Sequence, residues 1–168
     1  GCSAIGAASI TQPSAPVSAT IAVTDVSCFA GTNGAADLTI SNGVSPYTYI
    51  WNTGQLSEDL SSLPSGTYTV TTTDVNGCTA TASAAVAQPT ILNVAIASVA
   101  NVSCFAGNNG SITISTSGAT PAYTYNWGGG ITTQNRTGLS AGSYSVTVTD
   151  IHSCTASVTA VVTQPSAA

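Results

Sequence analysis

The chain has no lysine and no methionine, and a single arginine, Arg136, is its one permanently positive side chain. Only 4% of the 168 residues are charged, where a soluble domain carries roughly a quarter. Without a basic stripe there is nothing to neutralise phosphates, which excludes nucleic acid and an anionic membrane surface as partners. The absence of lysine also rules out Lys–Asn isopeptide staples, so covalent reinforcement falls to cysteine. There is no C-x-x-C spacing and one histidine, His152, so a four-ligand zinc site cannot be assembled within one stretch of fold. A long uninterrupted apolar run is missing too. The richest segment, Ala84 to Ala106, is broken by Pro89, Asn93, Ser98, Asn101 and Ser103, which reads as strand, linker and strand rather than a membrane span. The chain opens on GCSAIG, with no Met, basic n-region or signal peptide; the expectation is a removed leader or an excerpt.

What is present is a core and a repeat. The apolar share of 43% with a net charge of only −5 is the reverse of a disordered composition. So few charges to keep copies apart suggest a protein that is tethered, assembled or glycosylated. Cys28 and Cys104 lie 76 positions apart, as do Trp51 and Trp127, Tyr68 and Tyr144, Asp74 and Asp150, and Cys78 and Cys154. Gly1-Cys2 and Gln12-Pro13 keep the same interval to Gly77-Cys78 and Gln88-Pro89. The expected organisation is the last strand of a preceding repeat over 1–13, one full repeat over 14–89 and a second over 90–168.

Each repeat is made of short alternating runs separated by Gly, Asn and Pro, the pattern of an all-β sandwich. In the first, strands are expected at Val17–Thr24, Asp37–Ser41, Tyr47–Asn52, weakly at Gln55–Ser61, then at Thr67–Asp74 and Thr79–Ala87. The turn signals are Asn33-Gly34, Asn42-Gly43, Pro64-Ser65-Gly66 and Asn76-Gly77.

Tyr47, Tyr49 and Trp51 occupy alternate positions, and Tyr123, Tyr125 and Trp127 repeat them. On a strand each trio shares one face. The structural reading puts the tryptophan and at least one tyrosine in the core; the rival is an exposed aromatic platform that stacks a sugar ring.

Five cysteines suggest disulfides and an oxidising compartment. The expected bridges close each repeat on itself, Cys28 with Cys78 and Cys104 with Cys154, on the reasoning that both partners stand at one end of the sandwich. Cys2 is left unpaired in this segment, and a Cys78–Cys104 bridge is the alternative. A catalytic cysteine is disfavoured, because His152 beside Cys154 has Asn76 as its counterpart beside Cys78.

The motifs CFAGTNG from Cys28, PYTYIW from Pro46, GTYTV from Gly66 and DVNGC from Asp74 together resemble the SprB-type repeat, which occurs in tandem in very large cell-surface adhesins of Bacteroidota. The resemblance covers both full repeats and the opening fragment, with Ala122 inserted before Tyr123 and Ser153 in place of the glycine before Cys154. It implies immunoglobulin-like sandwiches, type IX export, and surface adhesion or gliding, and it brings no catalytic residues.

The function expected is therefore a non-catalytic structural or adhesive segment of an extracellular surface fibre, with the carbohydrate-binding module as the alternative. Its partners would be neighbouring repeats, other copies in a fibre, and surface glycans. No cofactor is expected. Calcium at the recurring Asp74 and Asp150 is the one open alternative, and turn capping by those carboxylates is the preferred reading. Glu58 and Asp59 are adjacent, so they face opposite ways on a strand and make a poor acid/base pair; they read as solvated. Asn101, Asn109 and Asn135 head glycosylation sequons near chance frequency.

Overall fold

The computed structural model describes residues 15–167, all of them strand, turn or loop. The expected strand over 1–13, and Cys2 with it, lies outside the described residues. The chain divides into two compact units. The first is Gly1–Asp25 with Gly34–Val86, described from residue 15, and the second is Val26–Asn33 with Ala87–Ala168, described to residue 167.

In the first unit six strands follow one another: β1 (Ser18–Thr24), β2 (Gly34–Ser41), β3 (Thr48–Trp51), β4 (Leu60–Leu63), β5 (Gly66–Thr73) and β6 (Thr79–Val86). They form two antiparallel sheets of order β1-β2-β4 and β3-β5-β6. The second unit repeats the plan with β7 (Asn93–Ala100), β8 (Gly110–Ser117), β9 (Thr124–Asn126), β10 (Arg136–Leu139), β11 (Gly142–Thr149) and β12 (Thr155–Val162), in sheets β10-β8-β7 and β12-β11-β9. These are immunoglobulin-like β-sandwiches in tandem.

The period-two pattern explains why these segments are strands. Along β5, Tyr68, Val70 and Thr72 are buried while Thr67, Thr69 and Thr71 face outward. The outward hydroxyls pair across the ladder, Thr69 with Ser83 at 3.0 Å, which lets an almost uncharged face remain polar. The second core gathers Ile112, Ile114, Trp127, Leu139, Val146, Val148 and Val162; burying each such side chain is worth about 1.5–3 kcal/mol. Gly110 is dictated by closeness, since a Cβ there would meet Leu139 O at 2.8 Å and Val162 Cγ1 at 2.7 Å.

Two strands differ from expectation, and the first is β2, which starts at Gly34, within the expected Asn33-Gly34 turn, rather than at Asp37. Residues 55–59 turn instead of extending, because the Trp51 backbone amide donates to Gln55 O at 3.0 Å and its indole N–H to Ser57 O at 2.9 Å. Pairing with β2 begins only at Leu60.

The expected disulfides are also corrected. Cys28 is joined to Cys154, with S–S 2.07 Å and Cα–Cα 5.7 Å, while Cys78 and Cys104 are free and exposed. Neither Cys28–Cys78, Cys104–Cys154 nor Cys78–Cys104 forms. The reason is strand direction. The loop after β7 is fastened to the far end of β12, through Val102 N to Thr163 O at 2.9 Å and Ala106 N to Gln164 Oε1 at 3.0 Å. So β7 runs parallel to β12 and antiparallel to β11, whose closing turn carries Cys154. The eight residues of β12, at roughly 3.3 Å each, hold Cys104 and Cys154 at opposite ends of the sandwich. The first repeat has the same fastening, Val26 N to Ala87 O at 2.9 Å and Ala30 N to Gln88 Oε1 at 2.7 Å.

Candidate functional site

Three sets of residues recur in both repeats with the same geometry. The first is the hairpin turn that presents a cysteine. Asp74 is buried between β5 and β6, and its Oδ1 accepts from Asn76 N at 2.9 Å and Cys78 N at 2.8 Å, while Oδ2 accepts from Val44 N at 3.1 Å. Asp150 does the same with His152 N at 2.9 Å, Cys154 N at 2.8 Å and Thr120 N at 3.1 Å. Burial alone would raise each carboxyl's pKa, but the converging backbone amides outweigh it and hold both below the ordinary value of 3.8. The carboxylates thus cap the turns, with both oxygens occupied. Among the described residues, no group of three or more His, Cys, Asp or Glu side chains gathers as metal ligands would.

The second set is the loop that presents the other cysteine. Asn33 accepts from Ser27 N at 3.0 Å and donates to Ser27 Oγ at 2.6 Å; Asn109 treats Ser103 likewise, at 3.1 and 2.8 Å. Gln88 and Gln164 grip the same loops from the other side, at Ala30 and Ala106, both with φ of 57°. In the sequence Gln12-Pro13 and Gln88-Pro89 mark the repeat interval, and this clamp was missed; the recurrence of glutamine at that interval was the available signal.

The third set is the aromatic stripe. Trp51 is 1% exposed and Trp127 8%, so neither offers a ring face to a ligand. The indole of Trp127 donates to Thr133 O at 2.8 Å. Tyr47, Tyr49, Tyr123 and Tyr125 are half-buried. Burial, followed by the charge of Glu58, raises the Tyr49 phenol pKa. Tyr123 spends its hydroxyl on Gly118 O at 2.6 Å. The tyrosines of the following long strands, Tyr68 and Tyr144, close corners onto Pro64 O at 2.9 Å and Ser140 O at 3.0 Å, a device of immunoglobulin-like sandwiches.

Two residues act otherwise than the sequence indicated. Asp59 is not simply solvated: its Oδ1 accepts from Leu38 N at 2.9 Å, where Asn135 accepts from Ile114 N at 3.1 Å. Both side chains extend a sheet ladder past its irregular end. Arg136 lies where the first repeat has the buried Leu60, its guanidinium 4.9 Å from the Tyr144 ring centroid and 5.7 Å from that of Trp127. A cation over two rings fills the place of an aliphatic side chain.

The bridged cysteines close the second unit. Cys28, from the loop of the first sequence repeat, meets Cys154, from the hairpin of the second, and both are half-buried beside a cleft lined by Phe29, Ile91, Leu92 and Ala119. Gly118 allows the approach of the chain here, since its φ is +82° and a Cβ would collide with Ile91 O.

Among known proteins, the SprB repeat matches residues 20–56 and 96–132. No curated protein matches the sequence significantly. Among solved structures, the three N-terminal domains of the bacteriophage RB49 highly immunogenic outer capsid protein (Hoc) are similar at 19% identity and a TM-score of 0.54, over 87% of this chain and 58% of that one. A C-terminal fragment of intimin, in complex with the intimin-binding domain of its translocated receptor, is similar at 15% identity and a TM-score of 0.46, over 93% of this chain and 64% of that one. The chain thus spans about three fifths of the length of these two structures.

Proposed function

From a chain that carries two copies of the SprB repeat, we infer an adhesin-type segment of an extracellular surface fibre that works as a spacer and load-bearing element rather than by chemistry. One observation carries this reading. The polar and aromatic residues of the turns, loops and corners that recur at the 76-residue interval are consumed by the fold itself. Asp74 and Asp150, Asn33 and Asn109, Gln88 and Gln164, Tyr68 and Tyr144 each satisfy backbone groups of their own loops or corners. What the repetition preserves is a scaffold. A surface of Ser, Thr and Asn with little charge suits a tethered polymer outside the cell, and a disulfide suits an oxidising compartment. Export by the type IX route and a part in gliding extend the same proposal.

The glycan-binding alternative rests on the half-exposed tyrosines, because burial removes Trp51 and Trp127 from any platform. One paired experiment tests the choice. Stretched between its ends in a single-molecule force measurement with reductant present, so that the Cys28–Cys154 bridge does not shield the residues it encloses, the chain should unfold in two discrete steps and recover both on relaxation, and an immobilised glycan panel should retain none of it. A single featureless extension, or firm glycan retention that Tyr49→Ala and Tyr125→Ala abolish, would overturn the spacer reading.

A further inference from the structure

The Cys28–Cys154 bridge spans 126 positions, more than one repeat, so it joins a loop cysteine of one repeat to a hairpin cysteine of the next. Each free cysteine is the equivalent of one half of it. Cys104 stands 76 residues after Cys28, and Cys78 stands 76 before Cys154.

The equivalence extends to conformation. Gly31 N donates to Cys28 O at 3.0 Å and Gly107 N to Cys104 O at 3.1 Å, with Ala30 and Ala106 at the same φ of 57°. Cys78 N and Cys154 N each donate to the turn aspartate at 2.8 Å, and each cysteine carbonyl accepts that aspartate's amide, at 2.9 and 3.0 Å. The backbones that present the free thiols are therefore already set in the bridged conformation. What differs is exposure: Cys28 and Cys154 are half-buried, whereas Cys78 and Cys104 are open to solvent. The neighbouring apolar groups are open too, with Phe105 56% exposed and Val44 47% exposed. Phe105 is the counterpart of Phe29, which lines the cleft at the formed bridge, and Val44 is the counterpart of Thr120, each donating its amide to the turn aspartate.

We propose that Cys104 and Cys78 are the two open halves of this same bridge, so that a further repeat of this kind, here a second copy of the chain, docks head to tail with Cys104 of one copy bonded to Cys78 of the next. The pairing rule is loop cysteine to hairpin cysteine. Two loop cysteines or two hairpin cysteines do not pair, because the rigid backbones around them fit only the unlike partner. In an array built this way the backbone and Cys28–Cys154 join the repeats within each copy, and the Cys104–Cys78 bridge joins one copy to the next. The bond forms by oxidation of two thiols; glutathione disulfide takes up the two electrons and two protons and leaves as two glutathione thiols. The inference goes beyond the adhesive reading and is independent of it, since it concerns what the repeats do to one another and not what the fibre grips.

The test uses the full chain with Cys2→Ser in every sample, in a glutathione redox buffer, read by non-reducing electrophoresis and mass-spectrometric mapping of linked peptides. The chain should form a ladder of covalent multimers containing Cys28–Cys154 and Cys104–Cys78 peptides. Adding Cys78→Ser or adding Cys104→Ser should each abolish the ladder, leaving monomer. Mixing those two variants should restore a covalent dimer and nothing larger, because one supplies the loop half and the other the hairpin half. Both variants keep Cys28–Cys154 and so keep the fold, which circular dichroism checks. Monomer alone in the mixture, a homodimer in either variant by itself, or Cys28 found bonded to Cys78 would each overturn the proposal. A fibre that bound glycans yet still formed the ladder would leave this inference standing while removing the spacer reading.

Discussion

Breaking the Cys28–Cys154 bridge is the most informative single perturbation, because its effect follows from which residues it joins. In the chain-entropy view the bond acts by restricting the unfolded ensemble, and its contribution grows with the logarithm of the loop it closes. If the whole chain unfolds, the loop spans the 126 positions between the two cysteines, for about 5 kcal/mol. If only the second unit opens, the loop shortens to roughly the stretch from Ala87 to Cys154, because Val26 is held to Ala87, and the contribution falls to about 4 kcal/mol. The logarithm makes the two cases nearly equal, so the prediction does not depend on whether the units melt together. For a chain of this size, each kcal/mol corresponds to roughly 2–4 °C, so Cys154→Ser should lower the melting temperature by up to roughly 10–20 °C if the units melt together, and by more if the smaller second unit melts alone. The measurement is differential scanning calorimetry on monomeric protein, with and without reductant, comparing wild type, Cys154→Ser and Cys78→Ser. Reductant should reproduce the Cys154→Ser shift in the wild type, leave Cys154→Ser unmoved, and Cys78→Ser should melt as the wild type does. A wild-type shift below about 2 °C, or a shift in Cys78→Ser equal to that in Cys154→Ser, would refute the assigned pairing.

The remaining expectations concern the fold. Trp51→Ala removes a 1%-exposed ring and should cost about 3–5 kcal/mol in urea unfolding of the first unit, with the second unit's transition unchanged. Gly118→Ala, with φ +82° and a Cβ against Ile91 O, should destabilise by more than Gly54→Ala, which, with φ +85° but nothing nearby, should show only the left-handed backbone penalty of about 1–2 kcal/mol. Arg136→Ala strips a cation from two rings and should cost about 1–2 kcal/mol, and Arg136→Leu, which copies Leu60, should recover it, both by urea unfolding. The depressed pKa values of Asp74 and Asp150 fix a sign for acid: their stabilisation is complete above the unfolded value near 3.8 and is lost as pH falls through the lower folded values. Melting temperature followed from pH 6 down to about 2 should therefore drop steeply below about pH 4, and the Asp74→Asn, Asp150→Asn double variant should flatten that drop.

The sequence by itself determined the strands, the repeat and most of the core. Alternation of Tyr68, Val70 and Thr72 with threonines is a local signal, since on a pleated strand every second side chain faces the same way. Turn dipeptides such as Asn76-Gly77 are local signals as well, and the capping by Asp74 follows from its place before one. The turn at 55–59 escaped because its cause is the indole of Trp51 reaching Ser57 O, a contact that a propensity pattern does not contain. Asp59, Gln88 and Arg136 escaped for a related reason: their partners at Leu38, Ala30 and Tyr144 come from other strands and loops.

Only the tertiary structure decided which thiols meet. Counting strands along the chain does not reveal that β7 lies parallel to β12, because that direction is settled by Val102 binding Thr163 and Gln164 binding the Cys104 loop. Once it is settled, the cysteines of one repeat stand at opposite ends of a rigid sandwich, and a covalent bond needs sulfurs about 2 Å apart. Composition fixed that the chain would be stapled by cysteine; strand direction fixed that the staple would reach into the next repeat.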